Sequence, residues 1–403
     1  VQVNELFPQR QLSNNENNTL KILNLAYYPT ERGPYNLDAD NINTDGTLLS
    51  PEKRFGGIMR KIEPCDFEVA NIEYIEFWMM DPFMYNAKAK GGDLYLNLGE
   101  ISEDILRDGK KFFENGLPVN EDTEQTEITV WGKVPKLPAT LYAFDNTAEI
   151  RSLQDVGLNG LSSEAEATFG TYAEYLHKLR AKLSAETLQQ MENDPFRLSP
   201  FHDPAGDKYH YFRGSDYDRE KADILTRYKR YNGTEGNSRE SGSSNESYNT
   251  SAKSIPDIED INQDYTLNEH ENYFEYKISI RPADTVIGTN FISDKRVSSV
   301  KLPNNTEEEV RWFQFKIPVK QYSQNIGNIQ DFKSIRFMRL YMTGFSEATI
   351  LRFASLQLVR GEWRVYEQNL SYTPDASSPK ATVEVSTVSY EENSDRKPVN
   401  YVL

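Results

Sequence analysis

The sequence is poor in the residue types that most often build catalytic and metal centres. Its 403 residues include one cysteine, Cys65, and four histidines. A single thiol excludes an internal disulfide framework, and so few thiol and imidazole groups leave little material for nucleophilic or transition-metal sites. We therefore predict no catalytic residue, no cofactor-binding residue and no bound metal, and we expect that the protein is not an enzyme. A pair of facing catalytic carboxylates among the 62 acidic residues is neither identified nor excluded.

Long apolar runs and excess positive charge are lacking as well. The sequence has no signal-peptide pattern and no stretch of about 18 or more apolar residues, which a membrane-spanning helix requires. Lysine and arginine number 45 against 62 acidic residues, which gives a formal net charge of -17. Because nucleic acids and anionic membrane surfaces select basic proteins, we expect neither as a partner. The sequence starts abruptly and ends without a polar tail, and we expect a fragment of a longer protein.

Alternation of apolar and polar residues predicts β-strands in both terminal thirds. Leu94, Leu96 and Leu98 share one face of the segment DLYLNLG, which is the period of a half-buried strand. Strands are also predicted for NIEYIEFWMM, YFEYKISI and VRWFQFKIPV, and at residues 19–29, 55–62 and 126–132. Short strands between Gly, Pro and Asn turn signals favour antiparallel sandwiches.

The middle of the sequence changes to a helical period. Apolar residues recur every three or four positions from Ser163 to Asn193, and Ser163 with Glu166 matches a capping box. A second helix is predicted from Ser215 to Tyr231, with Gly233 as its C-terminal cap.

The fold class is predicted as mainly β with a helical segment (α+β). Two antiparallel β-sandwich domains, of jelly-roll or galactose-binding-like type, are expected to flank the helices. The reason for two is that the strand pair KSIRFMRLYM and ATILRFASLQLV follows the same order and spacing as NIEYIEFWMM and GDLYLNLG. The predicted boundaries are 1–150 for the first β-sandwich, 151–232 for the helical segment, 233–258 for a flexible linker, 259–370 for the second β-sandwich and 371–403 for a tail leading into the rest of a longer protein.

One stretch places histidines and carboxylates close together. The segment FHDPAGDKYH contains His202, Asp203, Asp207 and His210. Their spacing fits no metal-ligand pattern, and the turn-forming Asp-Pro and Ala-Gly-Asp sequences explain these residues more simply. We therefore predict a turn.

A second stretch has the spacing of a calcium loop. In NINTDGTLLSPE, oxygen-bearing side chains at Asn41, Asn43, Asp45 and Glu52 surround the turn residue Gly46. The first position is Asn instead of Asp, a proline precedes the glutamate, and no helix leads into the loop. An Asx-rich surface loop is the simpler interpretation, and calcium binding stays open.

Four tryptophans raise the alternative of carbohydrate binding, because exposed aromatic rings stack on sugars. Trp78 and Trp312 lie inside strongly apolar segments, for which core packing is the prediction. Trp131 and Trp363 are not assigned from the sequence. A carbohydrate-binding β-sandwich module of a surface protein therefore stays open as the alternative function.

A family is indicated by longer motifs in a fixed order. The first half contains LNLAYYPTERGPYN, GGIMRKI, DFEVANIEYIEFWMMDPF and GGDLYLNLGEISEDIL. The second half contains NDPFRLSPFHDPAGDKYHYFRGSDYD, ILTRYKRYNGTEGNS, FKSIRFMRLYMTGF and RFASLQLVRGEWR. Across nearly the whole chain, these motifs resemble the SprA/Sov family of very large outer-membrane proteins of Bacteroidetes.

The resemblance implies a role in protein export. The family forms the translocon of the type IX secretion system, a giant β-barrel that exports folded proteins and supports gliding motility. The implied partners are secreted cargo proteins with C-terminal targeting domains, a smaller outer-membrane barrel protein and a periplasmic plug protein. No catalytic residue is implied. We therefore expect a soluble structural and interaction segment of such a translocon at the cell outer membrane, facing either the periplasm or the cell surface.

Overall fold

The computed structural model describes residues 1–12, 16–110, 112–113, 116–120, 123–137, 144–145, 147–231, 233–236, 259–302 and 304–361. The strands within these residues are β1 (Ile22–Tyr27), β2 (Phe55–Lys61), β3 (Ile72–Met80), β4 (Gly92–Glu100), β5 (Thr126–Ile128), β6 (Lys133–Pro135), β7 (Asn272–Ile280), β8 (Ile292–Lys301), β9 (Glu307–Pro318), β10 (Gln324–Ile326), β11 (Phe337–Thr343) and β12 (Thr349–Arg360). The helices are α1 (Val3–Leu6), α2 (Ala148–Gln154), α3 (Ser163–Glu166), α4 (Gly170–Lys182), α5 (Ala185–Glu192), α6 (Ser215–Glu220) and α7 (Ile224–Lys229). The predicted tail, 371–403, lies outside the described residues, as do residues 237–258 of the predicted linker.

Two five-stranded antiparallel sheets form the body of the fold. The first sheet has the strand order β1-β12-β3-β9-β8, and the second has the order β10-β7-β4-β11-β2. A separate hairpin pairs β5 with β6. The long central strands β3 and β4 follow each other in the chain but lie in different sheets, so the polypeptide passes repeatedly from one sheet to the other.

The two sheets pack face to face around one apolar core. Phe77 of β3 stacks on Phe315 of β9, with ring centroids 5.0 Å apart. The three leucines of the β4 alternation, Leu94, Leu96 and Leu98, are buried in the same core from the opposite sheet. The apolar faces that alternation predicts for β4, β7 and β9 are buried in this core. The opposite faces are buried in part as well, at Asn97, Glu275, Trp312 and Gln314.

The predicted fold class, mainly β with a helical segment, is confirmed. The strands are distributed differently from the prediction, however. Residues 1–150 supply the central strands β3 and β4, and residues 259–370 supply the neighbours on both sides of each, so that the two ranges build the same two sheets instead of one sandwich each. Periodicity identifies the buried face of a strand, but it carries no information about which distant strand lies beside it.

The outer face of the first sheet is covered by the N-terminal segment. Trp78 and Trp312 are exposed by only 1% and 0%, and they pack against Leu6 and Phe7. The indole nitrogen of Trp312 donates a hydrogen bond of 2.8 Å to a carboxylate oxygen of Glu5. Core packing of both tryptophans is therefore confirmed, and neither ring is available to stack on a sugar. Trp363 lies outside the described residues.

The helical segment contains more and shorter helices than its periodicity predicts. The predicted helix from Ser163 to Asn193 is interrupted twice, because Phe169 and Leu183 have extended backbone conformations. The predicted helix from Ser215 to Tyr231 is interrupted at Lys221, whose φ is +60°. In the part of the chain that the structure describes, no helix combines the length and apolar character needed to cross a membrane.

Helix α4 is held against the loop that joins β1 to β2. Its buried residues Tyr175, Leu176 and Leu179 pack against Ile42 and Leu48 of that loop. These residues form a small apolar core that is separate from the core of the sandwich. The packing places the loop between β1 and β2 next to the residues that follow α5.

Candidate functional site

A group of carboxylates lies buried where the helical segment meets the loop after β1. Glu166 ends α3, Asp203 and Asp207 belong to the turn that follows α5, and Glu235 comes from the short stretch after α7. Their exposed fractions are 0%, 0%, 1% and 9%, respectively. One carboxylate oxygen from each of Glu166, Asp203 and Asp207 lies within 4.8 Å of the other two. These three residues are named the carboxylate cluster below.

Asp203 is held by the backbone of its own turn. Its Oδ1 accepts hydrogen bonds from the amides of Gly206, at 2.9 Å, and Asp207, at 3.1 Å. Its Oδ2 accepts from the amide of Lys208 at 3.2 Å. The predicted turn is therefore present, and the same turn carries both of its aspartates into the buried site.

Glu166 is fixed by one side chain and one backbone amide. Its Oε1 accepts a hydrogen bond of 2.6 Å from Nδ2 of Asn159, and its Oε2 accepts one of 2.9 Å from the amide of Ala205. The predicted capping box of Ser163 and Glu166 is wrong, because the N-cap of α3 is Ser162, whose hydroxyl accepts from the amide of Ala165. Glu166 instead faces the interior.

Ser163 pairs with the fourth carboxylate. Its hydroxyl donates a hydrogen bond of 2.5 Å to Oε2 of Glu235. Residues 233–236, which the sequence places in a flexible linker, therefore pack within the fold: Glu235 is buried and forms a β-bridge with Lys208. Gly233 does not cap a helix either, because α7 ends at Lys229.

Asp207 has one satisfied oxygen and one unsatisfied oxygen. Its Oδ2 accepts a hydrogen bond of 2.6 Å from the hydroxyl of Tyr35. Its Oδ1 is buried and has no hydrogen-bond partner among the described residues. A buried polar atom without a partner normally costs about 1–3 kcal/mol, so an atom of this kind requires a physical explanation.

The sequence motif YYPTERGPYN forms the wall of this site. Tyr35 supplies the hydroxyl bonded to Asp207. Arg32 donates to the backbone carbonyls of Asp203, at 3.3 Å, and of Pro204, and to that of Asn36 at 3.1 Å. The guanidinium of Arg32 thus clamps the backbone of the turn, and its hydrogen bonds go to carbonyl groups and not to carboxylates.

Burial strongly changes the acidity of the carboxylate cluster. Loss of hydration raises the pKa of Glu166 to about 7. Loss of hydration, together with the negative charges of Glu166 and Asp203, raises the pKa of Asp207 well above its ordinary value. Burial also raises the pKa of Asp203. The raised pKa values mean that burial disfavours the charged forms of these carboxyl groups, and a bound species that brings positive charge would favour their ionised forms.

The other ligand candidates from the sequence lie elsewhere. His202 Nε2 is 3.0 Å from the carbonyl oxygen of Glu192, and His210 Nε2 is 2.9 Å from a carboxylate oxygen of Asp216. Neither ring joins the cluster, although both flank the turn that does. The histidines thus take part in ordinary local contacts.

Polar side chains of the calcium-like loop, residues 41–52, form hydrogen bonds within the loop. The Oδ1 atom of Asp45 accepts from the amide and the hydroxyl of Thr47, at 2.9 and 2.6 Å, and Nδ2 of Asn43 donates to the same hydroxyl at 2.9 Å. Glu52 lies in a short 3-10 helix, Pro51–Lys53. These contacts are those of an Asx-rich surface loop.

A second feature is an open groove between the two sheets. It has a volume of about 1070 Å³ and lies between β1, the beginning of β2 and α7. Both strands are outermost in their sheets, and the groove is lined by apolar side chains that remain exposed, among them Phe55 (78%), Ile224 and Leu225. Exposed apolar surface next to two free strand edges is typical of a contact surface.

Comparison with protein families identifies the family to which this chain belongs. A family described as motility related/secretion protein, SprA_N, matches residues 174–403, which is more than half of the chain. The chain belongs to the SprA_N family. No curated protein matches it at a significant level. The resemblance to the SprA/Sov family is thereby confirmed.

The SprA_N match and the buried site overlap in part. Asp203, Asp207 and Glu235 lie within the matched range, whereas Tyr35 and Glu166 precede it. The sequence singled out Asp203 and Asp207 but assigned them to a turn, and it assigned Glu166 to a capping box. It gave no indication that these residues meet Tyr35 and Glu235, which lie far from them in the sequence. A buried acidic residue in a short helix leaves no periodic pattern in the sequence. The residues of the buried site can therefore be recognised as a group only from the structure.

Proposed function

We propose that this chain is a structural and interaction segment of a giant outer-membrane β-barrel translocon, which exports folded proteins by type IX secretion and supports gliding motility in Bacteroidetes. The observation that carries the proposal is membership of the SprA_N family of motility related/secretion proteins. The ordered motifs listed from LNLAYYPTERGPYN onward support the more specific assignment. In this proposal the segment has no catalytic residue of its own.

The proposed location of the segment is outside the bilayer, in the periplasm or at the cell surface, as part of an outer-membrane protein. A formal net charge of -17 and a mean hydropathy of -0.69 suit a surface bathed in water. The proposed partners are secreted cargo proteins with C-terminal targeting domains, a partner outer-membrane barrel and a periplasmic plug protein.

The groove is the proposed contact surface for exported cargo. Its lining includes four basic residues and the acidic Glu31. Lys229 pairs with Glu31 at 2.6 Å and Arg54 pairs with Asp38 at 2.7 Å, which leaves Arg32 and Lys53 without an ion-pair partner among the described residues. The outer edges of β1 and β2, which pair with no further strand among the described residues, can accept an extended segment by strand addition. An extended, acidic segment of a cargo protein therefore fits this surface in shape and charge.

Site-specific crosslinking in living cells tests this proposal. A photoreactive amino acid at Phe55, in the groove, is expected to form adducts with exported proteins that carry the C-terminal targeting domain, identified by mass spectrometry. Val69 provides the matched control, because it is 85% exposed and does not line the groove. Equal adducts at both positions, or none with exported proteins at Phe55, would contradict the assignment of the groove to cargo.

A further inference from the structure

We propose that the carboxylate cluster is a binding site for one divalent cation, with Ca²⁺ as the preferred ion, held by Glu166, Asp203 and Asp207. Family membership does not assign this site, and the inference does not depend on the proposed role in secretion. Four independent properties of the site support it: the spacing of its oxygens, an unsatisfied oxygen, its charge and its ligand chemistry.

The spacing of the oxygens fits a shared ion. Oxygen ligands lie about 2.3–2.6 Å from Ca²⁺, so two oxygens bound to the same ion are separated by at most about 5 Å. One oxygen from each of Glu166, Asp203 and Asp207 falls within 4.8 Å of the others. All three residues are at most 1% exposed, so the ion is enclosed by protein.

The unsatisfied oxygen is the observation that points to a ligand. In the part of the chain that the structure describes, Oδ1 of Asp207 is buried and has no hydrogen-bond partner, while Oδ2 of the same carboxylate accepts a hydrogen bond from Tyr35. The hydrogen-bond donors around Glu166 and Asp203 engage both of their carboxylates but leave this atom free. A cation coordinated by Asp207 Oδ1 supplies the missing partner without displacing any of these bonds.

No basic side chain forms an ion pair with the cluster among the described residues, although the positive charge of Arg32 opposes the rise in the pKa of Asp203. Two other buried carboxylates do form ion pairs: Glu76 pairs with Lys316 at 2.9 Å, and Asp81 pairs with Arg311 at 2.8 Å. Among the described residues, no lysine, arginine or histidine nitrogen lies within 4.0 Å of a carboxylate oxygen of the cluster.

Two basic side chains close to the cluster in the fold, Arg32 and Lys208, form their polar contacts with other groups. Arg32 donates to backbone carbonyls, and Lys208 Nζ lies 3.8 Å from Glu164. Burying like charges without a counter-charge is strongly unfavourable, and a divalent cation offsets it.

The ligand chemistry selects the type of ion. The cluster offers carboxylate oxygens only, which suit hard cations, whereas Zn²⁺ favours the histidine and cysteine ligands that this site lacks. Mg²⁺ demands nearly regular octahedral geometry and retains several waters, which a fully buried site bounded by fixed backbone amides does not readily accommodate. Ca²⁺ tolerates irregular arrangements of carboxylates, so it is the expected ion.

The test measures whether calcium stabilises the full chain through this site. Protein dialysed against EDTA is unfolded by heat with and without about 1 mM CaCl₂, and Tb³⁺ luminescence sensitised by the neighbouring tyrosines is recorded in parallel. Wild-type protein is expected to gain on the order of 5 °C in Tm with CaCl₂, less with MgCl₂, and to sensitise Tb³⁺. An unchanged Tm together with absent Tb³⁺ luminescence overturns the proposal.

Three variants show which residues bind the ion. Asp207→Asn keeps an oxygen for the Tyr35 hydroxyl but removes the charge, and Glu166→Gln does the same for a second ligand in case the first variant does not fold. Both are expected to lose the calcium-dependent rise in Tm and the Tb³⁺ signal. Asp45→Asn, in the calcium-like loop, is the matched control and is expected to retain both. A response that disappears in Asp45→Asn and persists in the other two variants refutes the buried site.

Discussion

Replacing Gly233 by alanine is expected to destabilise the protein by on the order of 3 kcal/mol. Gly233 has a φ of +66°, which alone costs a residue with a Cβ about 1 kcal/mol. A Cβ at this position would also lie 1.5 Å from the carbonyl oxygen of Asp207, so the backbone beneath the carboxylate cluster must move. Overpacking of a rigid site adds about 1–3 kcal/mol. Urea unfolding followed by circular dichroism measures the loss.

Gly236 provides the control for this prediction. Its φ of +69° is nearly the same, but a Cβ there meets no atom within 4 Å. Gly236→Ala is therefore expected to cost only the conformational part, about 1 kcal/mol. If the two variants lose equal stability, the close packing of residues 233–236 against Asp207 is incorrect, and these residues belong to the linker after all.

Separating the chain into residues 1–236 and 259–403 is expected to leave both pieces unfolded when each is expressed alone. The first piece supplies β3 and β4, which occupy the middle of the two sheets. Without β3, the strand β12 has no connection to β9, and without β4, the strand β7 has no connection to β11. Each piece then exposes core residues that the other piece covers in the intact chain, which removes the main favourable contribution to folding.

Co-expression of the two pieces is expected to restore the fold. Together they contain every strand of both sheets, and they should copurify with the near-ultraviolet circular dichroism of the intact chain. Cooperative unfolding of either piece on its own would mean that the fold consists of two separate sandwiches, as the resemblance between the strand pairs of the two halves first indicates.

The strand faces could be predicted from the sequence, whereas the strand order could not. Alternation in β4, β7 and β9 identifies the buried sides because a half-exposed strand must repeat every two residues. The order β1-β12-β3-β9-β8 depends on contacts such as those between Ile22 and Ala354, which lie more than 300 positions apart, and no local pattern encodes it. Two similar strand pairs suggest a repeat, but both pairs lie in one sandwich.

The buried site was predictable only in part for a related reason. Asp203 and Asp207 have the sequence context of a turn, and the turn is present. The context of Ser163 and Glu166 is that of a helix cap, yet the neighbouring Ser162 caps the helix. Glu166 is free to turn inward because Asn159 and Ala205 satisfy it there, and such tertiary partners outweigh the local preference.

The corner motif YYPTERGPYN illustrates the same limit. Its Pro and Gly-Pro residues are typical of a turn, and the chain does turn there, after β1. Its contacts are more specific than a turn requires, since Arg32 and Tyr35 reach the backbone and the side chain of a turn about 170 residues later in the sequence. This long-range anchoring joins the sandwich to the helical segment.

The central claim is tested most directly by measuring where exported proteins are found after the protein that contains this chain has been depleted. Quantitative proteomics of the cell surface and the periplasm, before and after depletion of the protein that contains this chain, is the experiment. We expect proteins with the C-terminal targeting domain to disappear from the surface and accumulate in the periplasm, and gliding to stop. Normal surface display of these proteins in depleted cells would contradict a role in protein export.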